Sequence, residues 1–255
     1  MYNYDYTTNI NNFDDKKKYF ENVSLEKQAK ELKCVINHIF PAVQHVDIAG
    51  FSFGGRVAMA TAATYPKLVR KLHITGVPAQ RTPHAKLILE SWLSNVKTIQ
   101  EIKNQASQSY SNNSSSLDLI PFAWSSIMST YSPTFLSQNE KRIPKWVQSI
   151  SQQNTPEGIL SLLEQTHTEN ISDSWHPISM ANRIVSGHCV DEVQMAVGSS
   201  DCMSTVEETK KLGQLLDDTN EERKCEVIVY EGCGHAVMME DGRTWRNDVI
   251  KFLDN

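Results

Sequence analysis

Apolar and polar positions follow three different rhythms along the chain. Residues 1–23 are polar and rich in Asn and Tyr; Tyr2–Tyr6 has the character of a short strand and the remainder that of a loop. Leu25, Ala29, Leu32, Ile36 and Ile39 then recur at helical spacing, which predicts an amphipathic helix over 25–39. Ser24 suits its N-cap and Glu26 its first turn, and Pro41 stops it. Val46–Phe51 is short and mostly apolar, as expected of a strand buried on both faces of a parallel sheet. An Ala-rich helix is expected at Arg56–Tyr65, closed by Pro66, and a second short strand at Lys71–Gly76.

Beyond residue 80 the alternation gives way to helical spacing alone. Ala85, Ile88, Trp92, Val96 and Ile99 mark a long helix over 83–104, and the polar run Gln105–Ser116 reads as a loop. Further helical pieces fall near 118–131, 144–152 and 156–167. Strand character returns at Val190–Val197 and Cys225–Tyr230, with a helix near 205–217 between them and a last helix near 244–253. Strands alternating with helices predict an α/β fold, a mostly parallel sheet flanked by helices. The block of about 81–180 is then a helical lid inserted into a single domain of residues 1–255, whose core is 1–80 and 181–255. The lid is rich in large apolar side chains: Trp92, Ile120, Phe122, Trp124, Ile127, Met128, Tyr131, Phe135 and Trp146. Most are expected to pack it, a few to line a pocket.

Composition narrows the classes of function. The net charge of −5 offers no basic field, so nucleic acid is excluded as an expected partner. No apolar run is long enough for a transmembrane segment, and the first twenty residues lack the apolar stretch of a signal peptide. Five scattered cysteines with no Cys-x-x-Cys pair argue against a disulfide framework or a zinc site. A cytoplasmic protein is the expectation.

One segment carries chemistry. Gly50-Phe51-Ser52-Phe53-Gly54 lies between a predicted strand and a predicted helix. A serine hydroxyl is a poor nucleophile unless a base takes its proton and donors receive the oxyanion. A tight strand-to-helix turn raises the serine above the sheet and aims the following N–H, here that of Phe53, at the oxyanion. On these residues the chain resembles the α/β-hydrolase family, in the subgroup with a helical cap. The resemblance covers roughly residues 24–80 and 190–255. It implies Ser52 as nucleophile, Asp201 after the strand 190–197 as the acid, and His235 in Gly232-Cys233-Gly234-His235 as the base. Asp191 and Asp173 are weaker candidates for the acid, and Cys202 and Cys233 are incidental. A serine rather than an aspartate at the elbow implies acyl chemistry on a small-molecule ester or thioester, with neither cofactor nor metal required.

The family carries further strands before its elbow and a His-Gly pair that gives the second oxyanion donor. Only 51 residues precede Ser52 here, and none of them reads His-Gly. An N-terminally truncated version of the fold is therefore expected. The open edge of strand 46–51 would be covered by pairing, by a rearranged terminus or in a homodimer. Two other readings remain open: a hydrolase-like binding protein without turnover, and an acyltransferase using the same site.

Overall fold

The computed structural model describes residues 23–108, 119–166, 171, 173–217 and 225–254. Tyr2–Tyr6, expected as a strand, lies outside the described residues. Helix α1 (Leu25–Ile39) is capped by Ser24, whose Oγ accepts the Lys27 N–H at 3.2 Å. Strand β1 (Val46–Phe51), helix α2 (Phe53–Thr64) and strand β2 (Val69–Thr75) follow. The insertion holds α3 (Pro83–Gln108), α4 (Ile120–Thr130), α5 (Pro133–Gln138), α6 (Ile143–Gln153) and α7 (Pro156–Thr166). After it come α8 (Pro177–Ser186), β3 (Glu192–Gly198), α9 (Val206–Leu216), β4 (Cys225–Tyr230), α10 (Val237–Glu240) and α11 (Gly242–Asp254).

The four strands form one parallel sheet in the order β1-β2-β3-β4. Its two faces are built differently, and the alternation along β2 shows why. Leu72 and Ile74 join Val193 and Met195 of β3 in an apolar core with α1, α2, α8 and α9. Lys71, His73 and Thr75 point the other way and are still buried, under α11. Buried polar groups need partners, and these have them. The Trp245 indole N–H donates to Thr75 Oγ1, whose hydroxyl reaches His73 Nε2, each at 2.9 Å. His73 Nδ1 meets Gln194 Oε1 at 2.9 Å, and the Gln194 amide donates to Glu226 at 2.9 Å. With the Gln194 oxygen as acceptor, the proton sits on Nδ1 and Nε2 accepts from Thr75. Lys71 Nζ donates to the Phe252 carbonyl at 3.0 Å and pairs with Glu192 at 3.2 Å.

Several expectations need correcting. Strand β1 is not buried on both faces: it is the outer strand among the described residues, and Ala49 is exposed. Ile48 packs against the core, whereas Ala49 on the opposite face stays open and Phe51 reaches His235. Asp47 ties the strand to β2, accepting from the Arg70 guanidinium and from the Lys71 N–H where the register slips. Helix α3 continues to Gln108, past the expected stop at 104. Helix α2 begins at Phe53 rather than Arg56. Gly54 and Gly55 are poor helix formers, so intrinsic preference hides a start that the preceding turn imposes. The short α5 and the core helix α8 carry no expectation at all. Yet α8 buries Pro177, Met180, Ala181 and Ile184 against the core, a spacing legible once the helix is suspected.

Burial holds the His73 pKa down to about 4 from 6.5, with Gln194 and Asp248 offsetting part of the shift. Between those values the unfolded chain binds more protons, so stability falls as pH falls, by about 1.4 kcal/mol per pH unit at most and about 3 kcal/mol in total. Urea denaturation at pH 7 and pH 4.5 should therefore show a smaller acid loss for His73→Gln than for the wild type. Equal losses would refute this assignment.

Candidate functional site

Every strand delivers something at its C-terminal end, where ligands of parallel sheets gather. Strand β1 leads to Ser52, β2 to Gly76, β3 to Asp201 and β4 to His235. Ser52 turns the chain from β1 into α2 with φ 52° and ψ −118°. A positive φ at a residue with a side chain costs about 1–3 kcal/mol and persists only where the surroundings impose it. Here the Ser52 N–H donates to the Thr75 carbonyl at 2.8 Å, and the Ser52 carbonyl accepts the Arg56 N–H at 3.1 Å. Close approach does the rest: a Cβ on Gly50 would lie 2.6 Å from the Gly54 carbonyl oxygen and 2.7 Å from Gly55 Cα. Gly54, the second glycine of the motif, would meet nothing.

The sequence-expected residues come together in a chain of hydrogen bonds. Ser52 Oγ is 2.9 Å from His235 Nε2, and His235 Nδ1 is 2.8 Å from Asp201 Oδ2. Asp201 and His235 are buried, at 5% and 6% exposure. Asp201 uses its other oxygen locally, accepting the Met203 and Ser204 N–H groups at 2.8 Å each. The helix after it is capped by Thr205, so Asp201 shapes the turn and faces the histidine at once. With Asp201 accepting from Nδ1–H, Nε2 is left to accept the serine proton. Phe53 opens α2, where N–H groups have no intrahelical partner.

The histidine is held from three sides. Its N–H donates to the Thr130 carbonyl at 2.7 Å, at the end of α4 in the insertion. Gly76, at φ 69°, lies beneath the ring, and a Cβ there would come within 2.9 Å of His235 Cε1. Phe51 tilts against it with ring centres 5.0 Å apart. Glu240 fastens the loop: it accepts the Gly234 N–H at 3.0 Å and both the N–H (3.0 Å) and the hydroxyl of Ser132. Loop and insertion are thus anchored on one carboxylate.

The other candidates lie elsewhere. Asp191 precedes β3 and donates its N–H to Arg70, at the opposite end of the sheet. Asp173 accepts the Trp175 N–H at 2.9 Å. Burial pushes the Cys233 thiol up to about 11, aided by Glu240, Asp241 and Glu231. Burial and Asp201 also raise that of Cys202, so neither supplies a thiolate near neutral pH.

A cavity of about 230 Å³ opens over Ser52 and His235. Of the aromatic residues singled out in the insertion, Trp92 alone lines it. Tyr131, Phe135 and Trp146 stack on one another, Phe122 meets Trp92 edge-on, and Trp124 stays exposed. Leu89, Leu162, Leu163 and Met203 supply apolar wall that sequence reasoning missed, as it missed Arg56, Arg81, Gly76 and Glu240. Leu89 had a signal, three residues before Trp92 on the same helical face. The others had none, because each acts through a neighbour distant in sequence.

Replacing Glu240 with Ala removes a shared acceptor from three donors. Destabilisation of about 1–3 kcal/mol is expected, read as a lowered urea midpoint. An unchanged midpoint would show that Glu240 anchors nothing.

No sequence model of a protein family matches the chain, and no curated protein matches it by sequence. Solved structures do match it in three dimensions. An α/β-hydrolase enzyme from a Medee basin deep-sea metagenome library superposes with a TM-score of 0.68 at 21% identity, over 91% of this chain and 72% of that one. Homoserine O-acetyltransferase from Bacillus anthracis gives 0.69 at 13% identity, over 91% and 65%. An acetylester hydrolase from Corynebacterium glutamicum gives 0.68 at 14%, over 91% and 66%. The three proteins carry different activities, yet each superposes over 91% of this chain, and on that shared architecture this chain has the α/β-hydrolase fold.

Proposed function

We propose that the protein is a serine hydrolase that cleaves a small or medium acyl ester or thioester through an acyl-enzyme. The observation that carries this reading is the Ser52–His235–Asp201 hydrogen-bonded chain, at 2.9 and 2.8 Å, opening on an apolar cavity. In this mechanism Ser52 Oγ attacks the carbonyl carbon while His235 Nε2 takes its proton. Asp201 holds the ring in the required tautomer and stabilises the imidazolium. The Phe53 N–H donates to the oxyanion, at a helix N-terminus whose dipole favours negative charge. Collapse expels the alcohol or thiol, which receives the proton from His235. Water then repeats the sequence and releases the acid. Substrate chemistry takes place under the helical insertion, which acts as a lid; Leu89, Trp92 and Leu163 exclude water from the acyl group.

A second reading is acyl transfer, in which an alcohol replaces water in the last step. The similarity to homoserine O-acetyltransferase favours keeping it in view. Partition of an acyl-enzyme between water and added alcohols separates the two.

A fluorophosphonate probe should modify Ser52 in the folded chain, as mapped by mass spectrometry. Ser52→Ala should lose all labelling, and His235→Ala should lose ester turnover by about a thousandfold or more. A folded wild-type chain that stays unlabelled would sink the proposal and leave a binding protein as the better reading.

A further inference from the structure

The loop that carries His235 meets the insertion at a single carboxylate. One helical turn, α10, follows the histidine directly. The Met239 and Asp241 N–H groups bond back to the Ala236 and Val237 carbonyls at 2.8 Å each, which folds Glu240 towards the loop it came from. Glu240 Oε1 accepts the Gly234 N–H at 3.0 Å, six residues earlier. The same atom accepts the Ser132 N–H at 3.0 Å, across 108 residues of chain. Glu240 Oε2 accepts the Ser132 hydroxyl. Ser132 is only 3% exposed, and its Oγ also accepts the Phe135 N–H at 3.3 Å as the cap of α5.

These contacts fix the backbone from which the imidazole projects. A Cβ on Gly234 would lie 2.6 Å from Ser132 N and 2.8 Å from the Thr130 carbonyl oxygen. A Cβ on Gly198 would lie 2.2 Å from the Gly234 carbonyl oxygen. The loop is therefore pressed between the end of β3 and the junction of α4 with α5. The His235 N–H donates to Thr130 at 2.7 Å, and Glu240 joins the two segments on the other side of the Gly234 peptide. Hydrogen bonds to a carboxylate are stronger than those between neutral groups, so this junction is stiffer than a carbonyl would make it. Neither Ser132 nor Glu240 lines the cavity over Ser52.

We propose that Glu240 and Ser132 are positioning residues for the base, setting where the His235 imidazole stands between Asp201 and Ser52. The consequence for turnover rests on the serine-hydrolase reading; the hold on the imidazole does not. The ring makes its two hydrogen bonds at 2.8 and 2.9 Å, and proton transfer needs both partners within reach. A misplacement of about 1 Å can lower a rate by about a hundredfold. Because both residues stand outside the cavity, the loss falls on kcat rather than on KM.

Proton NMR of the His235 Nδ1–H, which Asp201 accepts, reads the hold without any turnover. Its exchange with water should be slow in the wild type and about tenfold or more faster in folded Glu240→Ala. Glu240→Gln should recover most of the protection, because its carbonyl oxygen can still accept both N–H groups. Ser132→Ala, which removes the hydroxyl alone, should also speed exchange, and it serves if Glu240→Ala does not fold. Asp241→Ala removes the side chain that accepts from the Thr244 N–H and hydroxyl, next to Glu240 but away from Gly234. It should leave the His235 proton protected even where it lowers the urea midpoint. An unprotected wild-type proton overturns the proposal, as does equal exchange in wild type and the Glu240→Ala and Ser132→Ala variants that fold, or in Glu240→Ala and Asp241→Ala. Ester turnover by the same variants, with kcat down about tenfold or more and KM within about twofold, tests the consequence for the chemistry. Faster exchange in a chain whose Ser52 takes no fluorophosphonate would uphold the positioning and sink only the hydrolase reading.

Discussion

The structure turns on one backbone conformation, the positive φ of Ser52. No property of a serine favours it; the surroundings impose it. Gly50 lets β1 and α2 approach to a distance that no side chain would tolerate, and Gly55 lets α2 lie against Val77 beyond the end of β2. The Thr75 carbonyl then captures the Ser52 N–H. A strained turn on a rigid sheet gives the hydroxyl a defined direction, which a loop would not. Strand β2 takes part twice, since Gly76 also leaves room for the histidine ring.

Placing a histidine 183 residues away within 2.9 Å of that hydroxyl requires a second set of constraints. They come from both sides of the cavity. Strand β3 ends at Gly198, where a Cβ would run into the Cys233 and Gly234 carbonyl oxygens, so the loop after β4 lies directly on the strand end. The insertion contributes the Thr130 carbonyl and Ser132, and Glu240 gathers the donors. The helical insertion therefore takes part in holding His235 in place.

The far face of the sheet solves a different problem. Lys71, His73, Thr75 and Gln194 are buried there, yet each finds a partner through α11 or a neighbouring strand. The chain of donors fixes the His73 tautomer, and burial keeps the ring neutral. It also ties the last helix to the strand that supports the elbow, so α11 stabilises the site without touching it. A histidine in a strand at 0% exposure thus serves the fold, whereas one in a Gly-rich loop lies against the serine.

Local features of the chain were enough to indicate the parallel α/β pattern, the helical insertion and the positions of Ser52, Asp201 and His235 along it. Strand rhythm, Gly-x-Ser-x-Gly and Gly-His all act over a few residues, and short-range sterics set them. Register, exposure and partners depend on which distant segments meet. For that reason β1 read as a strand buried on both faces, whereas Ala49 on one of them is exposed. Helix α8 went unmarked although it packs in the core, and Arg56, an ordinary polar residue of a helix start, lies buried on a cavity wall. Asp201 divides its two oxygens, one accepting from the turn that follows it and one facing His235, a pairing no local pattern shows. The sequence by itself determined which residue types stand at which strand ends. Only the tertiary structure decided their distances and their neighbours, because those arise from packing between segments that no local pattern connects.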